Sequence, residues 1–299
     1  MSMDLKNKLV IGISSRALFD SEAENKIYEE QGLDAYIKYQ VEHEKDILKP
    51  GTAFPLIKAL HNLNVGDERL VEIIIMSKNS ADTSLRIFNS IKYYGLDITR
   101  AALVDGSKIA PYLNAFSTDL FLSANKEDVQ EAIDGGIAAG LICGHDNLSI
   151  SPDETVDQIR IAFDGDAVIF SDESELIYKS QGLKAFDEHE TENALNPMAE
   201  GPFAKLLRMI SMVQSQFKGK KVPIRTALIT ARCAPAHERV IRTLRAWNVR
   251  IDESFFLGGV PKADVLHAFG AHIFFDDQFA HTDTASKLVP AAWVPLKSK

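Results

Sequence analysis

Two cysteines in 299 residues, Cys143 and Cys233, are too few and too far apart for a disulfide framework or a cysteine metal site, and they fit a reducing cytoplasm. The eight histidines show no metal-ligand spacing, so His237, His267 and His272 read as surface or packing residues. Basic residues are outnumbered: a net charge of −9 argues against a general binder of nucleic-acid polymers, which needs a basic face for phosphates. An anionic small substrate would then need local positive charge or a metal. Long apolar runs are missing too, and none approaches the roughly 18 residues of a membrane span. The short run Leu9 to Ile13 turns polar too soon for a signal-peptide core. There is no low-complexity tract, and "GIAAG" is too short for a dinucleotide fingerprint, so no NAD is inferred.

What remains is an ordinary globular composition, 45% hydrophobic and 25% charged, in a chain long enough for one large α/β unit or two of about 150 residues. The chain also resembles itself. "ISSRALFDSEAENKIYEEQGLDAY" from Ile13 lies without a gap over "FDGDAVIFSDESELIYKSQGLKAF" from Phe163. Three later blocks follow in the same order at nearly constant offset: Gly51 with Gly201, Ile73 with Thr226, and Asn114 with His267. Duplication explains this better than chance likeness between βα stretches. The reading is two related α/β halves, 1–150 and 151–299, joined by the polar stretch Gly144 to Gln158. In the second half the periodicity predicts strands at 159–163, 224–230, 254–257 and 272–275. It predicts helices at 202–217, 236–247 and 262–269, the alternation of a parallel sheet with helices on its faces.

In such a sheet ligands gather beyond the carboxyl ends of the strands. There stand Asp164 and Asp166 after "IAF", Thr230 after "ALI", Lys262 after "FFLGGVP", and Asp276-Asp277 after "HIFF". Converging carboxylates repel unless a cation lies between them, and oxygen-only ligands suit Mg²⁺. Thr230 and Lys262 supply a hydroxyl and a positive charge for phosphate oxygens, which completes a set for phosphoryl transfer. Each residue also has a plain reading: Asp-x-Asp caps helices, Thr230 caps the next helix, and Lys262 is one solvated lysine among many. Arg232 reads equally as a phosphate or substrate contact and as an exposed arginine near a helix start.

The ordered quartet resembles the four motifs of the haloacid dehalogenase superfamily of phosphatases. The strings "SSRALFD", "AFDGDAVIFSDESE", "GIAAG", "LITAR" and "AHIFFDDQ" look like the cytosolic 5′-nucleotidase type I family, through essentially the whole chain. The resemblance implies a Rossmannoid parallel sheet with a small cap insertion, preceded by a degenerate related half. It implies a cytoplasmic, Mg²⁺-dependent hydrolase of nucleoside 5′-monophosphates such as AMP or IMP, with no membrane or nucleic-acid partner and with room for a homo-oligomer. By the same resemblance Asp164 is the nucleophile, Asp166 the acid and base, and Thr230 and Lys262 the phosphoryl holders. Mg²⁺ then falls to Asp164, the Asp166 carbonyl and the Asp276-Asp277 pair. The alternatives are a phosphatase of another small phosphate ester and a nucleotide-sensing protein with vestigial catalysis.

Under the alignment Ser14 replaces Asp164, Arg16 replaces Asp166, Ser77 replaces Thr230, and Ser123-Ala124 replaces Asp276-Asp277. The first half therefore reads as catalytically silent, with Ser14 and Arg16 left to bind substrate or an effector, or to serve structure alone. The stretch 171–222 is longer than a direct βα connection, and in the superfamily an insertion here forms a cap over the site. Phe170, Tyr178 and Phe186 are its candidates for stacking on a base, whereas "FAKLLRMISMV" reads as a packing helix.

Overall fold

The computed structural model describes residues 5, 7–64, 69–144, 156–217 and 221–298. Its first half runs β1 (Leu9–Ile13), α1 (Ser15–Leu18), β2 (Phe19–Asp20), α2 (Glu22–Gln31), α3 (Leu33–Glu42), β3 (Lys49–Pro50) and α4 (Phe54–His61). It continues through β4 (Val71–Ser77), α5 (Leu85–Tyr93), β5 (Arg100–Leu103), α6 (Ala110–Ala115), β6 (Leu120–Ser123), α7 (Lys126–Asp134) and β7 (Ala138–Cys143). The second half runs β8 (Ile159–Phe163), α8 (Glu173–Glu192), α9 (Ala204–Ser215), β9 (Ile224–Thr230) and α10 (His237–Ala246). It ends with β10 (Glu253–Phe256), α11 (Lys262–Phe269), β11 (Ile273–Asp276), α12 (Phe279–Ser286) and β12 (Ala291–Trp293).

Ten strands form one sheet in the order β10-β9-β8-β11-β12-β7-β6-β1-β4-β5. Every residue of β1 and β4 is buried, as expected of strands covered by helices on both faces. Each aliphatic side chain so enclosed contributes about 1.5–3 kcal/mol. All neighbouring strands are parallel except at the centre, where β12 meets β7 antiparallel, pairing Ala291 with Cys143 and Trp293 with Leu141. The halves thus share one continuous sheet but point in opposite directions, so the carboxyl ends of their strands lie at opposite edges. Gly140 makes the seam close: a Cβ there would stand 2.8 Å from the Ala292 Cβ and 3.0 Å from the Phe275 ring.

The halves match down to single hydrogen bonds. The Leu48 amide donates to Ser90 Oγ at 3.0 Å, and the Met198 amide to Thr243 Oγ1 at 3.0 Å. Asn64 Nδ2 donates to the Val71 carbonyl at 2.9 Å, and Gln214 Nε2 to that of Ile224 at 3.1 Å. The helical stretches after β2 and after residue 172 both bend at a glycine of positive φ, Gly32 at 86° and Gly182 at 83°. The halves are also interlocked, since α4 packs on β8 and α9 on β1.

The stretch 171–222, read from the sequence as an insertion, holds the helices α8 and α9. Leu206, Leu207, Ile210 and Val213 put α9 in the main hydrophobic core as the counterpart of α4, and α8 takes the place of α2 and α3. The boundary at 150–151 lies outside the described residues.

Candidate active site

Parallel pairing of β8 with β9 and β11 brings three strand ends together. Asp164 follows β8 and is fixed there because its amide donates to the Phe275 carbonyl at 2.8 Å. Asp276 ends β11 and Asp277 follows it. One carboxylate oxygen from each of Asp164, Asp276 and Asp277 lies within 4.8 Å of the others. All three are buried, as are Lys262 at the first position of α11 and Thr230 at the end of β9. Lys262 Nζ sits 2.8 Å from Asp164 Oδ1 and 2.6 Å from Asp276 Oδ2, answering part of the negative charge. Asp164, Thr230, Lys262, Asp276 and Asp277, widely separated in sequence, therefore share one locus.

Burial and the neighbouring Asp276 and Asp166 push the Asp164 carboxyl up to about 7, although Lys262 pulls the other way. Burial, then the charges of Asp164 and Glu175, push Asp277 up to about 9. Asp276 behaves differently: burial would raise it, but the His281 hydrogen bond and Lys262 hold it below the usual carboxylate value. Lys262 ends above the ordinary lysine value because Asp164 and Asp276 outweigh its own burial.

The oxygens divide in the same way. Asp276 accepts from the Gln278 amide at 2.8 Å, from Lys262, and stands 3.2 Å from His281 Nδ1. Asp277 Oδ1 is buried with no hydrogen-bond partner among the described residues. A buried carboxylate oxygen left in this way costs free energy unless a cation meets it, so the donor set fits a hard divalent ion.

Asp166 lies in a wide turn, Gly165–Ile169, closed by the Phe170 amide donating to the Gly165 carbonyl at 2.9 Å. Within it Asp166 is extended and Ala167 has φ of 61°, which swings the Asp166 side chain toward β9. There Arg232 holds it at two points, Nε to Oδ2 at 2.8 Å and Nη2 to Oδ1 at 2.6 Å. Arg232 is buried rather than exposed. It also pairs with Glu190 and lies 5.1 Å over the Phe186 ring. Glu190 in turn meets Arg239 Nη1 at 2.9 Å and accepts from Ser174 Oγ at 2.7 Å.

Ser14 and Arg16 do not join this cluster. They follow β1, five strand positions from β8 and so roughly 24 Å across the sheet at ordinary strand spacing, and they lie at its other edge. Arg16 pairs there with Glu22 at 3.0 Å. Among the aromatic candidates, Phe170 is fully buried against Trp247, and Phe186 is covered by Arg232. Tyr178, 52% exposed, alone of the three offers an open ring.

Sequence reading missed Glu190, Arg239, Gln278 and His281. Glu190 is the member of "FDEHETE" that turns fully inward, and nothing in an acidic run marks which member does so. Arg239 had a signal: Arg86 occupies the aligned place in the first half, and both are buried ion-pairing arginines.

The chain matches the 5′-nucleotidase family over residues 1–299. It belongs to the 5′-nucleotidase family. Human "Cytosolic 5′-nucleotidase 1B" is 41% identical over 296 residues, covering 95% of this chain and 48% of that protein. The chain thus spans about half the length of the curated relative it matches. No solved structure matches it. The family match extends over the first half of the chain as well as over the half that holds the carboxylate cluster.

Proposed function

We propose that the chain is a Mg²⁺-dependent 5′-nucleotidase that hydrolyses nucleoside 5′-monophosphates to nucleoside and phosphate. The observation that carries this reading is the buried Asp164, Asp276 and Asp277 triad with Lys262 bridging two of its members. Asp164, Asp277 and the Asp166 carbonyl would hold Mg²⁺, with Asp276 as the brace that Lys262, His281 and the Gln278 amide already engage. When bound, the ion neutralises charge on the phosphoryl oxygens and on the converging carboxylates.

Asp164 attacks phosphorus, forming an O–P bond as the bond from phosphorus to the ribose 5′-oxygen breaks. Asp166, held as a carboxylate by Arg232 in the free protein, takes up a proton when that pair opens around substrate and gives it to the departing oxygen. It then takes one from the water that cleaves the aspartyl-phosphate, releasing phosphate and restoring Asp164. Thr230 and Lys262 hold the phosphoryl oxygens during a loose transition state. Arg232 acts through Asp166, whose carboxylate it fixes at two points, rather than on the phosphate. Tyr178 is the ring best placed in exposure to meet a base.

The relative's name places that protein in the cytosol. The same compartment is proposed for this chain and agrees with the free thiols of Cys143 and Cys233. The test is phosphate release from AMP, IMP and a set of sugar phosphates with Mg²⁺ and with EDTA. Nucleotides are expected to lead, with release lost in EDTA. A clear preference for sugar phosphates would replace the nucleotidase reading with that of a phosphatase for another small ester.

A further inference from the structure

The first half contains a cavity of about 450 Å³ at the carboxyl ends of β1, β4 and β6, the topological counterpart of the carboxylate cluster. Its floor is made where the catalytic set would stand: Ser14, Ser77 and Ser123 occupy the places of Asp164, Thr230 and Asp276. Ala124 and Ile109 stand for Asp277 and Lys262. Arg16 and Lys78 stand for Asp166 and Ala231, and Asn79 for Arg232. Across these positions four carboxylates and two cations become two cations and no carboxylate.

The floor is ordered. Ser14 Oγ accepts from the amides of Ala17 and Ala124 at 3.3 Å each. Ser15 and Ser77 hydroxyls meet at 3.0 Å, Ser77 donates to Asn79 Oδ1 at 2.7 Å, and Asn79 Nδ2 donates to the Tyr36 hydroxyl at 2.9 Å. Three carboxylates also line the cavity. Glu24 is paired with Arg86 at 2.7 Å, Asp128 with Lys78 at 2.7 Å, and Asp105 follows β5.

The walls keep the aromatic arrangement of the other half. Tyr28 and Tyr36 meet edge to face at 6.0 Å, as Tyr178 and Phe186 do at 6.3 Å. What changed between the halves is the charge at the phosphoryl position, while the aromatic wall stayed.

We propose that this cavity is a second ligand site that binds a nucleoside monophosphate without metal and does not hydrolyse it. The phosphate lies over the serine floor within reach of Arg16 and Lys78, and the base lies against Tyr28. Without a carboxylate at Ser14 no phosphoryl-enzyme forms, and without those at Ser123 and Ala124 no divalent ion is held. The nucleotide class rests on the reading of the other half given above, whereas the anion floor stands on its own residues.

The test is calorimetric titration of the full chain in EDTA with AMP, adenosine and inorganic phosphate, so that binding is read without turnover. AMP is expected to bind with one site per chain and at least tenfold more tightly than adenosine or phosphate. Lys78→Met is expected to weaken AMP at least tenfold, Lys78→Arg to restore it, and Lys262→Met to leave it unchanged. Tyr28→Ser, at a half-exposed position, is expected to weaken AMP severalfold while sparing phosphate, and keeps the test open if Lys78→Met does not fold. The proposal is overturned by no AMP binding in EDTA, or by binding that Lys262→Met removes and Lys78→Met spares. It is also overturned by phosphate binding as tightly as AMP, or by AMP affinity unchanged in Tyr28→Ser. A phosphatase inactive on nucleotides that still bound AMP here would separate the two readings.

Discussion

Asp276 and Asp277 are adjacent, equally acidic and not equivalent. Asp276 is fully engaged by Lys262, His281 and the Gln278 amide, so its charge is answered within the protein. Asp277 keeps a buried oxygen with no hydrogen-bond partner among the described residues. Asp277→Asn is therefore expected to raise the Mg²⁺ concentration needed for half-maximal activity by about tenfold or more. The same change should raise the melting temperature of the metal-free protein by a few degrees, because it removes a carboxylate that burial and its neighbours disfavour. Asp276→Asn, by contrast, should lower it, since Lys262 loses a partner. Thermal melts in EDTA compare the two. Sequence alone could not rank the pair, because the difference lies in partners 14 residues before and 5 residues after Asp276.

At the scale of elements, the kinked helix α8 holds the site through Glu190. Burial alone would raise its carboxyl, but Arg232, the Ser174 hydroxyl and Arg239 outweigh it and keep it below the ordinary glutamate value. A lowered carboxylate contributes stability that is present above the unfolded value and is lost as pH falls through the folded one. Glu190→Gln leaves two buried arginines short of a partner, and about 3–5 kcal/mol of stability is expected to go at neutral pH. Denaturant curves should show the gap between wild type and variant closing as pH falls below about 4.5. The strands β8 and β9 and the helix α11 lie where periodicity put them, because each is an unbroken apolar or amphipathic run. The sequence marks α9 as a packing helix by its apolar face, but nothing local says that it packs on a strand of the other half.

Over the whole molecule, the antiparallel seam between β7 and β12 decides the layout. Repeat analysis found two related halves, but strand direction at their junction is a tertiary fact, so it could not place Ser14 and Arg16 on the far edge. Because α4 and α9 each pack across to the central strand of the other half, the chain is expected to unfold in one transition, seen together by circular dichroism and tryptophan fluorescence. Gly140→Ala puts a methyl 2.8 Å from the Ala292 Cβ. It should destabilise by roughly 1–3 kcal/mol without splitting that transition.

On the proposed mechanism Asp164 becomes phosphorylated during turnover. Protein mixed with radiolabelled AMP and Mg²⁺, quenched in acid and digested, should yield one labelled peptide carrying the phosphoryl group on Asp164. The label should be absent from Asp164→Asn, whose turnover should fall by about a thousandfold or more. Full turnover by Asp164→Asn, or a phosphoryl group trapped on another residue, would contradict the account.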